Sequence, residues 1–246
     1  MRHLLVINPN TSDSVTALLH THVLAACAAD VAVHSVTARF GARYIASETS
    51  YAIAAHATLD AWVSWQAQGG NEKKRGQGAS LPDAVLIGCF GDPGLLALRE
   101  CCPVPVTGLA EAAFAEAAQH GRFAIVTGGV RWKPMLQRLA HSLGYGASLA
   151  CIHTVEATGA ELAADPVAAC VLLAQACREV IEQQAVQAVI LGGAGLAGMA
   201  AKVQHLLPVP VVDSVLAGAR HALALPPVQY ASVISLEGAW LERSKS

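Results

Sequence analysis

Charge is scarce in this sequence of 246 residues: Asp, Glu, Lys and Arg together make up 14%, and the formal net charge is −2. So weak and balanced a charge supplies no broad attraction for nucleic acid or an anionic lipid surface. Lys and Arg are scattered apart from Lys73-Lys74-Arg75, which sets nucleic acid aside as a partner. No apolar run reaches the roughly 18 to 20 residues needed to cross a bilayer. Met1-Arg2-His3 leads directly into a short strand-like segment, so no membrane partner is expected and the expected location is cytoplasmic. Several catalytic signatures are also missing. There is no GxSxG elbow and no HExxH metal site, no Walker Lys-Ser/Thr pair, and neither CxxC spacing nor a His cluster suited to zinc.

What is abundant is apolar: hydrophobic residues make up 54%, much of it Ala, which fits a tightly folded globular enzyme with closely packed helices. The length allows one large domain or two smaller lobes, each able to bury a core. Cysteine occurs at Cys27, Cys89, Cys101, Cys102, Cys151, Cys170 and Cys177. An odd number without paired spacing reads as reduced thiols, and the ordinary role of each is a small buried hydrophobe.

Four segments share one grammar. Leu4-Leu5-Val6-Ile7 ends in Asn8-Pro9-Asn10-Thr11-Ser12, after which Val15, Leu18, Leu19 and Val23 recur at helical spacing, with Thr11 or Ser12 as the cap. Ala84-Val85-Leu86-Ile87 enters Gly88-Cys89-Phe90-Gly91-Asp92-Pro93-Gly94 and then a helix, for which Asp92 is a natural N-cap and Pro93 a natural first residue. Phe123-Ala124-Ile125-Val126 leads through Thr127-Gly128-Gly129 to a helix that stops near Gly144, and Ala188-Val189-Ile190-Leu191 leads into Gly192-Gly193-Ala194-Gly195. Short apolar runs joined through small-residue turns to helices describe strands buried on both faces of a parallel sheet, so the fold class is α/β. In such folds a ligand binds beyond the carboxyl ends of the strands, where these four turns should converge. Pro103-Val104-Pro105-Val106 and Pro208-Val209-Pro210-Val211 are alike and each follows such a unit, pointing to two lobes of similar design. The first is expected to span residues 1–110 plus 209–246 and the second 111–208, with 68–78 forming a mobile surface loop.

Cys89 stands between a buried strand and a helix N-terminus, a setting whose free N–H groups and dipole lower a thiol pKa. Cys101 and Cys102 keep the structural reading. Asn8, Asn10, Thr11 and Ser12 suit a carboxylate or imide-like ligand, and equally suit plain capping. Thr127, at the matching place in the second lobe, could act with backbone N–H groups of Gly128 and Gly129. Gly192-Gly193-Ala194-Gly195 reads as a turn that lets backbone approach a small ligand. Glu111 and Asp213 read as caps or surface charges, and His56 as a helix histidine. Tyr44 and Phe90 are wall or core residues.

The motifs Ile7-Asn8-Pro9-Asn10-Thr11-Ser12 and Gly88 through Leu95, with Pro105-Val106-Thr107-Gly108-Leu109-Ala110-Glu111-Ala112, Val126-Thr127 and Leu191-Gly192, resemble the Asp/Glu/hydantoin racemase superfamily, most closely its hydantoin racemase branch. The resemblance covers nearly the whole chain. It implies two pseudo-symmetric Rossmann-like lobes with parallel sheets, an active site in the cleft between them, and catalysis without cofactor or metal. In the family two cysteines face each other across a small carboxylate, amino acid or hydantoin; one removes the α-proton and the other returns a proton on the opposite face. Cys89 matches the first, and Asn10 and Thr127 match positions that hold the substrate's polar groups. Thr11, Phe90, Gly91, Gly128, Gly193 and Ala194 complete the expected substrate-binding set. The second family cysteine follows Leu-Gly, where this sequence has Gly193.

Three functions stay open. The first is racemase or epimerase chemistry at the α-carbon of a small amino acid, hydantoin or related carboxylate or imide, with Cys89 as acid/base. The second is a single-cysteine decarboxylase, lyase or cis-trans isomerase; malonate decarboxylases of the family also keep a single cysteine, on the opposite lobe. The third is a binding pocket without turnover. The expected partner is a small molecule, and an Ala-rich chain of this kind is compatible with a homo-oligomer.

Overall fold

The computed structural model describes residues 1–67 and 81–228. The loop expected over 68–78 lies outside the described residues. In the first half β1 (Arg2–Asn8), β2 (Val31–Thr37), β3 (Ala84–Ile87) and β4 (Val106–Gly108) form a parallel sheet in the order β2-β1-β3-β4. Helices α1 (Asp13–Ala26), α2 (Glu48–Ala67) and α3 (Leu95–Cys101) follow β1, β2 and β3. The chain then runs through α4 (Leu109–Ala118) into a second parallel sheet built from β5 (Phe123–Gly128), β6 (Leu149–Val155), β7 (Ala188–Gly192) and β8 (Val211–Asp213), in the matching order β6-β5-β7-β8. This half carries α5 (Trp132–Ser142), α6 (Gly159–Ala164), α7 (Pro166–Gln183) and α8 (Met199–Val203), and α9 (Ser214–Ala224) follows β8. The expected α/β class with two parallel sheets is the class found. Among the described residues no helix is long and apolar enough to cross a membrane.

The central strands explain why the apolar runs were readable. Leu4 through Ile7, Ala84 through Ile87 and Phe123 through Val126 are fully buried, because helices cover both faces of each sheet. Each large aliphatic side chain so buried contributes about 1.5–3 kcal/mol. The two Pro-Val repeats occupy equivalent places: the Val85 N–H donates to the Pro105 carbonyl at 2.8 Å, and the Val189 N–H to the Pro210 carbonyl at 3.0 Å. Each proline thus stands just ahead of an edge strand, where its missing N–H costs nothing.

The register shows where the expected boundary at residue 208 fails. Val211–Asp213 pairs with β7 and completes the second sheet, so that strand does not return to the first. Among the described residues after β8, α9 turns back, packing on α4, α1 and β3. Gly218 permits this, since a Cβ there would come within 2.9 Å of Leu109 Cδ2 and 3.0 Å of Leu86 Cδ1. Helices α4 and α9 therefore lie between the sheets. One continuous core runs from Leu86 in the first sheet through Phe114 to Phe123 and Ile190 in the second.

A second expectation is corrected at Asp92. It does not cap α3, whose N-cap is Gly94 at φ 84°. Asp92 itself adopts φ 53° and turns its carboxylate to the start of α4, accepting from the Ala110 N–H at 2.9 Å and the Glu111 N–H at 2.8 Å. The first four N–H groups of a helix have no partner within it, and α4 offers two of them to a buried acid from another turn. Gly108 has no side chain because a Cβ there would strike that carboxylate. Asp213 makes the mirror tie: it caps α9 through Val215 and Leu216 and also accepts from Gly198 N–H at 2.7 Å, holding the turn after β7.

Candidate active site

The carboxyl ends of β1, β3, β5 and β7 meet at a cavity of about 400 Å³ between the two sheets. The paired registers Ile7↔Ile87 and Val126↔Leu191 make the two sides comparable residue by residue. Two residues past these pairs, Cys89 on the first side matches Gly193 on the second, and both line the cavity.

Cys89 is buried and free of any disulfide, and no described residue hydrogen-bonds to its sulfur. The expectation of a lowered thiol pKa is overturned. Burial pushes the thiol far above the usual cysteine range, and the neighbouring Asp92 carboxylate adds to the rise. The helix that was to supply a stabilising dipole starts six residues later, at Leu95, so its N–H groups are not spent on the sulfur. Asp92 in turn is raised to about 7, because desolvation outweighs its two bonds to α4. The resting site holds a protonated thiol.

The turn after β1 presents Asn10. Its Oδ1 receives the Asn8 Nδ2 at 3.0 Å and the Ser12 N–H at 2.9 Å, which fixes the amide so that Nδ2 is the remaining atom. That nitrogen has no partner among the described residues, although Asn10 is only 7% exposed. A buried donor so placed needs an acceptor, and a ligand carbonyl in the cavity would supply one. Across the cavity the Thr127 Oγ1 donates to the Gly192 carbonyl at 2.6 Å, so its proton is already committed to fixing the turn that carries Gly193. Phe90 reaches over from the first side and packs directly on Gly192, where any Cβ would fall inside its ring.

Of the expected residues, the cavity brings together Asn10, Cys89, Phe90, Thr127, Gly128, Gly193 and Ala194. Thr11 and Gly91 do not line it. The Thr11 N–H donates to the Ala42 carbonyl at 3.1 Å, a tie within the first half. Gly91 lies beneath Trp132, whose ring a Cβ would strike, and its carbonyl accepts from the Tyr51 hydroxyl at 2.7 Å. Glu111 is occupied by Arg99 and by the Thr107 hydroxyl at 2.7 Å. His56 stacks edge-on to Phe40, away from the cavity.

Sequence reasoning passed over Arg43, Trp132 and Gly159, all of which line the site. Trp132 carried only the signal of an apolar helix position, and Gly159 none. Arg43 is the one charged residue among those lining the cavity; it is exposed and makes no ion pair among the described residues. Tyr44, noted as a wall residue, does line it. Its hydroxyl oxygen accepts the Gly159 N–H at 3.2 Å.

Comparison with known proteins agrees with this fold. A family model described as Asp/Glu/Hydantoin racemase matches residues 4–222. The chain is similar to a hydantoin racemase of Pseudomonas sp. (strain NS671), 32% identical over 88% of this chain and 83% of that protein. It is similar to a hydantoin racemase of Paenarthrobacter aurescens, 30% identical over 92% of each. Among solved structures, allantoin racemase from Klebsiella pneumoniae superposes with a TM-score of 0.84 at 29% identity, covering 97% of this chain and 96% of that one.

Proposed function

Because the chain belongs to the Asp/Glu/hydantoin racemase family, we propose that it is a racemase that moves a proton at the α-carbon of a hydantoin or a related cyclic ureide, with the Cys89 thiol as an acid/base on one face. The observation that carries this reading is the pairing, within one cavity, of an unbonded thiol with an unpartnered buried amide donor on Asn10. Removing a proton beside a carbonyl places negative charge on the carbonyl oxygen, and a fixed N–H aimed at that oxygen lowers the barrier. Asn10, held by Asn8 and Ser12, is such a donor.

The lining also favours a ureide over a free amino acid. A zwitterion presents an ammonium group, and no carboxylate stands among the lining residues to receive it. A hydantoin ring presents neutral carbonyl and N–H edges, which suit Asn10 and the backbone around Gly128 and Gly193. Thr127 holds the Gly192 carbonyl so that this edge stays in place. The cytoplasm, where free cysteines stay reduced, is the compartment in which this chemistry would run.

Incubating single enantiomers of 5-isobutylhydantoin and of allantoin with the protein tests the reading. Optical activity should decay with no change in composition, and Cys89→Ala should abolish the decay while leaving the circular dichroism of the fold intact. Persistent optical activity with both compounds, or a fully active Cys89→Ala, would sink the proposal. Gly193 supports a second reading, since it offers no side chain opposite the thiol. One-sided chemistry of the decarboxylase, lyase or cis-trans isomerase kind would then show solvent deuterium entering with retention, or carbon dioxide leaving a malonate-type acid. Tight binding without either reaction would mark a pocket without turnover.

A further inference from the structure

Inversion at a carbon needs a proton carrier on each face, and Gly193 leaves one face without the thiol that the family places there. We propose that the Tyr44 hydroxyl is the second proton carrier, acting on the substrate face opposite Cys89; this rests on the racemase reading above.

Position is the first argument. Tyr44 lies on the loop between β2 and α2, pinned on one side by the Ala42 carbonyl, which accepts from Thr11 N–H, and on the other by the buried Ile45. The loop belongs to the first half, yet the ring extends to the second. Its hydroxyl accepts the Gly159 N–H at 3.2 Å, and a Cβ on Gly129 would stand 3.3 Å from it. Gly159 is the residue on which the turn after β7 rests, since a Cβ on Gly195 would strike its carbonyl. The phenol therefore sits on the Gly193 side of the cavity.

Elimination is the second. Thr127 has already committed its proton to the Gly192 carbonyl at 2.6 Å. Ser214 is fully buried outside the lining and accepts the Gly193 N–H at 3.1 Å. Ser12 and Ser14 bond to each other on the far side. The Arg43 guanidinium has N–H donors and no acceptor, so it offers no base.

Hydrogen bonding is the third. Burial raises the Tyr44 pKa, and the Gly159 N–H donated to its oxygen at 3.2 Å and the neighbouring Trp132 indole offset part of that rise. Its own proton has no acceptor among the described residues, so it is free to go to a ligand.

The proton balance closes. In the active form one member of the pair has lost its proton to solvent. That member takes the hydrogen on carbon as a proton, and the bonding electron pair moves into the adjacent carbonyl. The other member then delivers its proton to the opposite face. The pair ends with its protonated and deprotonated members exchanged, and the opposite enantiomer runs the same steps with the roles reversed.

The test follows each enantiomer of 5-isobutylhydantoin in heavy water by NMR and chiral chromatography, with wild type, Tyr44→Phe and Cys89→Ala. In Tyr44→Phe, inversion should fall at least ~100-fold, the scale of a lost acid–base group. Deuterium should still enter one enantiomer with retention, through the thiol alone. In Cys89→Ala, retentive exchange should survive only in the other enantiomer. Inversion at the wild-type rate in Tyr44→Phe would overturn the assignment and leave the racemase reading standing. So would a folded Tyr44→Phe that loses exchange of both enantiomers alike, which is the behaviour of a positioning residue. If Tyr44→Phe does not fold, Cys89→Ala decides, and exchange of neither enantiomer there overturns the proposal. A wild type that inverts nothing refutes the racemase reading itself, and this inference with it.

Discussion

Replacing Asp92 by Asn measures which of two opposing forces governs a buried carboxyl. The α4 N–H groups at 2.8 and 2.9 Å favour its charge. Burial opposes charge and wins, leaving the group at about 7 against an ordinary 3.8. The folded state thus holds a proton that the unfolded chain has already lost. The resulting stability is fully present below about 4 and is lost as pH rises through about 7. At about 1.4 kcal/mol per pH unit, the wild type should give up on the order of 4 kcal/mol over that interval relative to an untitratable variant. Relaxation and water penetration bring the measured figure below this limit. Asn also turns an N–H toward one of the two helix donors, which costs about 1–3 kcal/mol at every pH. Asp92→Asn should therefore unfold at lower urea than wild type at pH 5, and the gap should narrow or reverse at pH 8. Other titrating groups are common to both proteins and cancel in the difference. A gap equal at both pH values, or wider at pH 8, would refute burial as the dominant force.

Two glycines in the turn after β7 give further expectations. Gly192→Ala drives a methyl into the Phe90 ring; overpacking of this kind costs about 1–3 kcal/mol, roughly 2–12 °C in Tm for a chain of this size, and an unchanged melting curve would mean that the ring swings aside freely. At Gly193→Cys the new Cβ meets the Leu196 side chain at 3.5 and 3.8 Å, ordinary contact distances, but φ is 144°. It should lose about 1–3 kcal/mol to backbone strain in urea unfolding, and equal stability would mean that the turn adopts another conformation without cost.

The legible part of the fold was the part buried on both faces. Leu4–Ile7, Ala84–Ile87, Phe123–Val126 and Ala188–Leu191 are central strands, and each runs without a polar interruption. The edge strands were silent for the same reason in reverse. In β2, Val31-Ala32-Val33-His34-Ser35-Val36-Thr37 is mostly half-buried, and β6 likewise mixes His153 and Thr154 with apolar residues. Neither has a clean period. At the site, Cys89, Asn10, Thr127 and Gly193 were visible because each stands at or just past the end of a central strand. Trp132 and Gly159 come from α5 and α6, and only the packing of the two halves brings them to the cavity. The thiol's protonation is not legible because sequence places Cys89 near a helix start but does not show that the helix begins at Leu95, or that Cys89 and the Asp92 carboxyl are buried together.

The two halves are alike in strand order, in the Pro-Val step before each outer strand and in a carboxylate that ties a turn to a helix. They differ where protons are carried. Cys89 stands on backbone that any residue adopts, whereas its counterpart Gly193 lies in the left-handed region. The difference is thus one of chain path as well as side chain, and a single substitution does not restore symmetry. With Tyr44 as the second carrier, both proton-bearing side chains come from the first half, and the second half serves to hold one of them in place through Gly159 and Trp132. Chemistry then depends on how rigidly the halves are joined. The surface pair Glu48–Arg138, bidentate at 2.8 and 2.9 Å, contributes at most about 1 kcal/mol because it is exposed. The buried cluster in which Phe90 meets Phe114 edge-on and Phe114 stacks on Phe123 spans both sheets and contributes several times as much. The registration of Tyr44 against Cys89 is therefore set by the shared core, and core substitutions at Phe114 should perturb inversion more than removal of the surface pair.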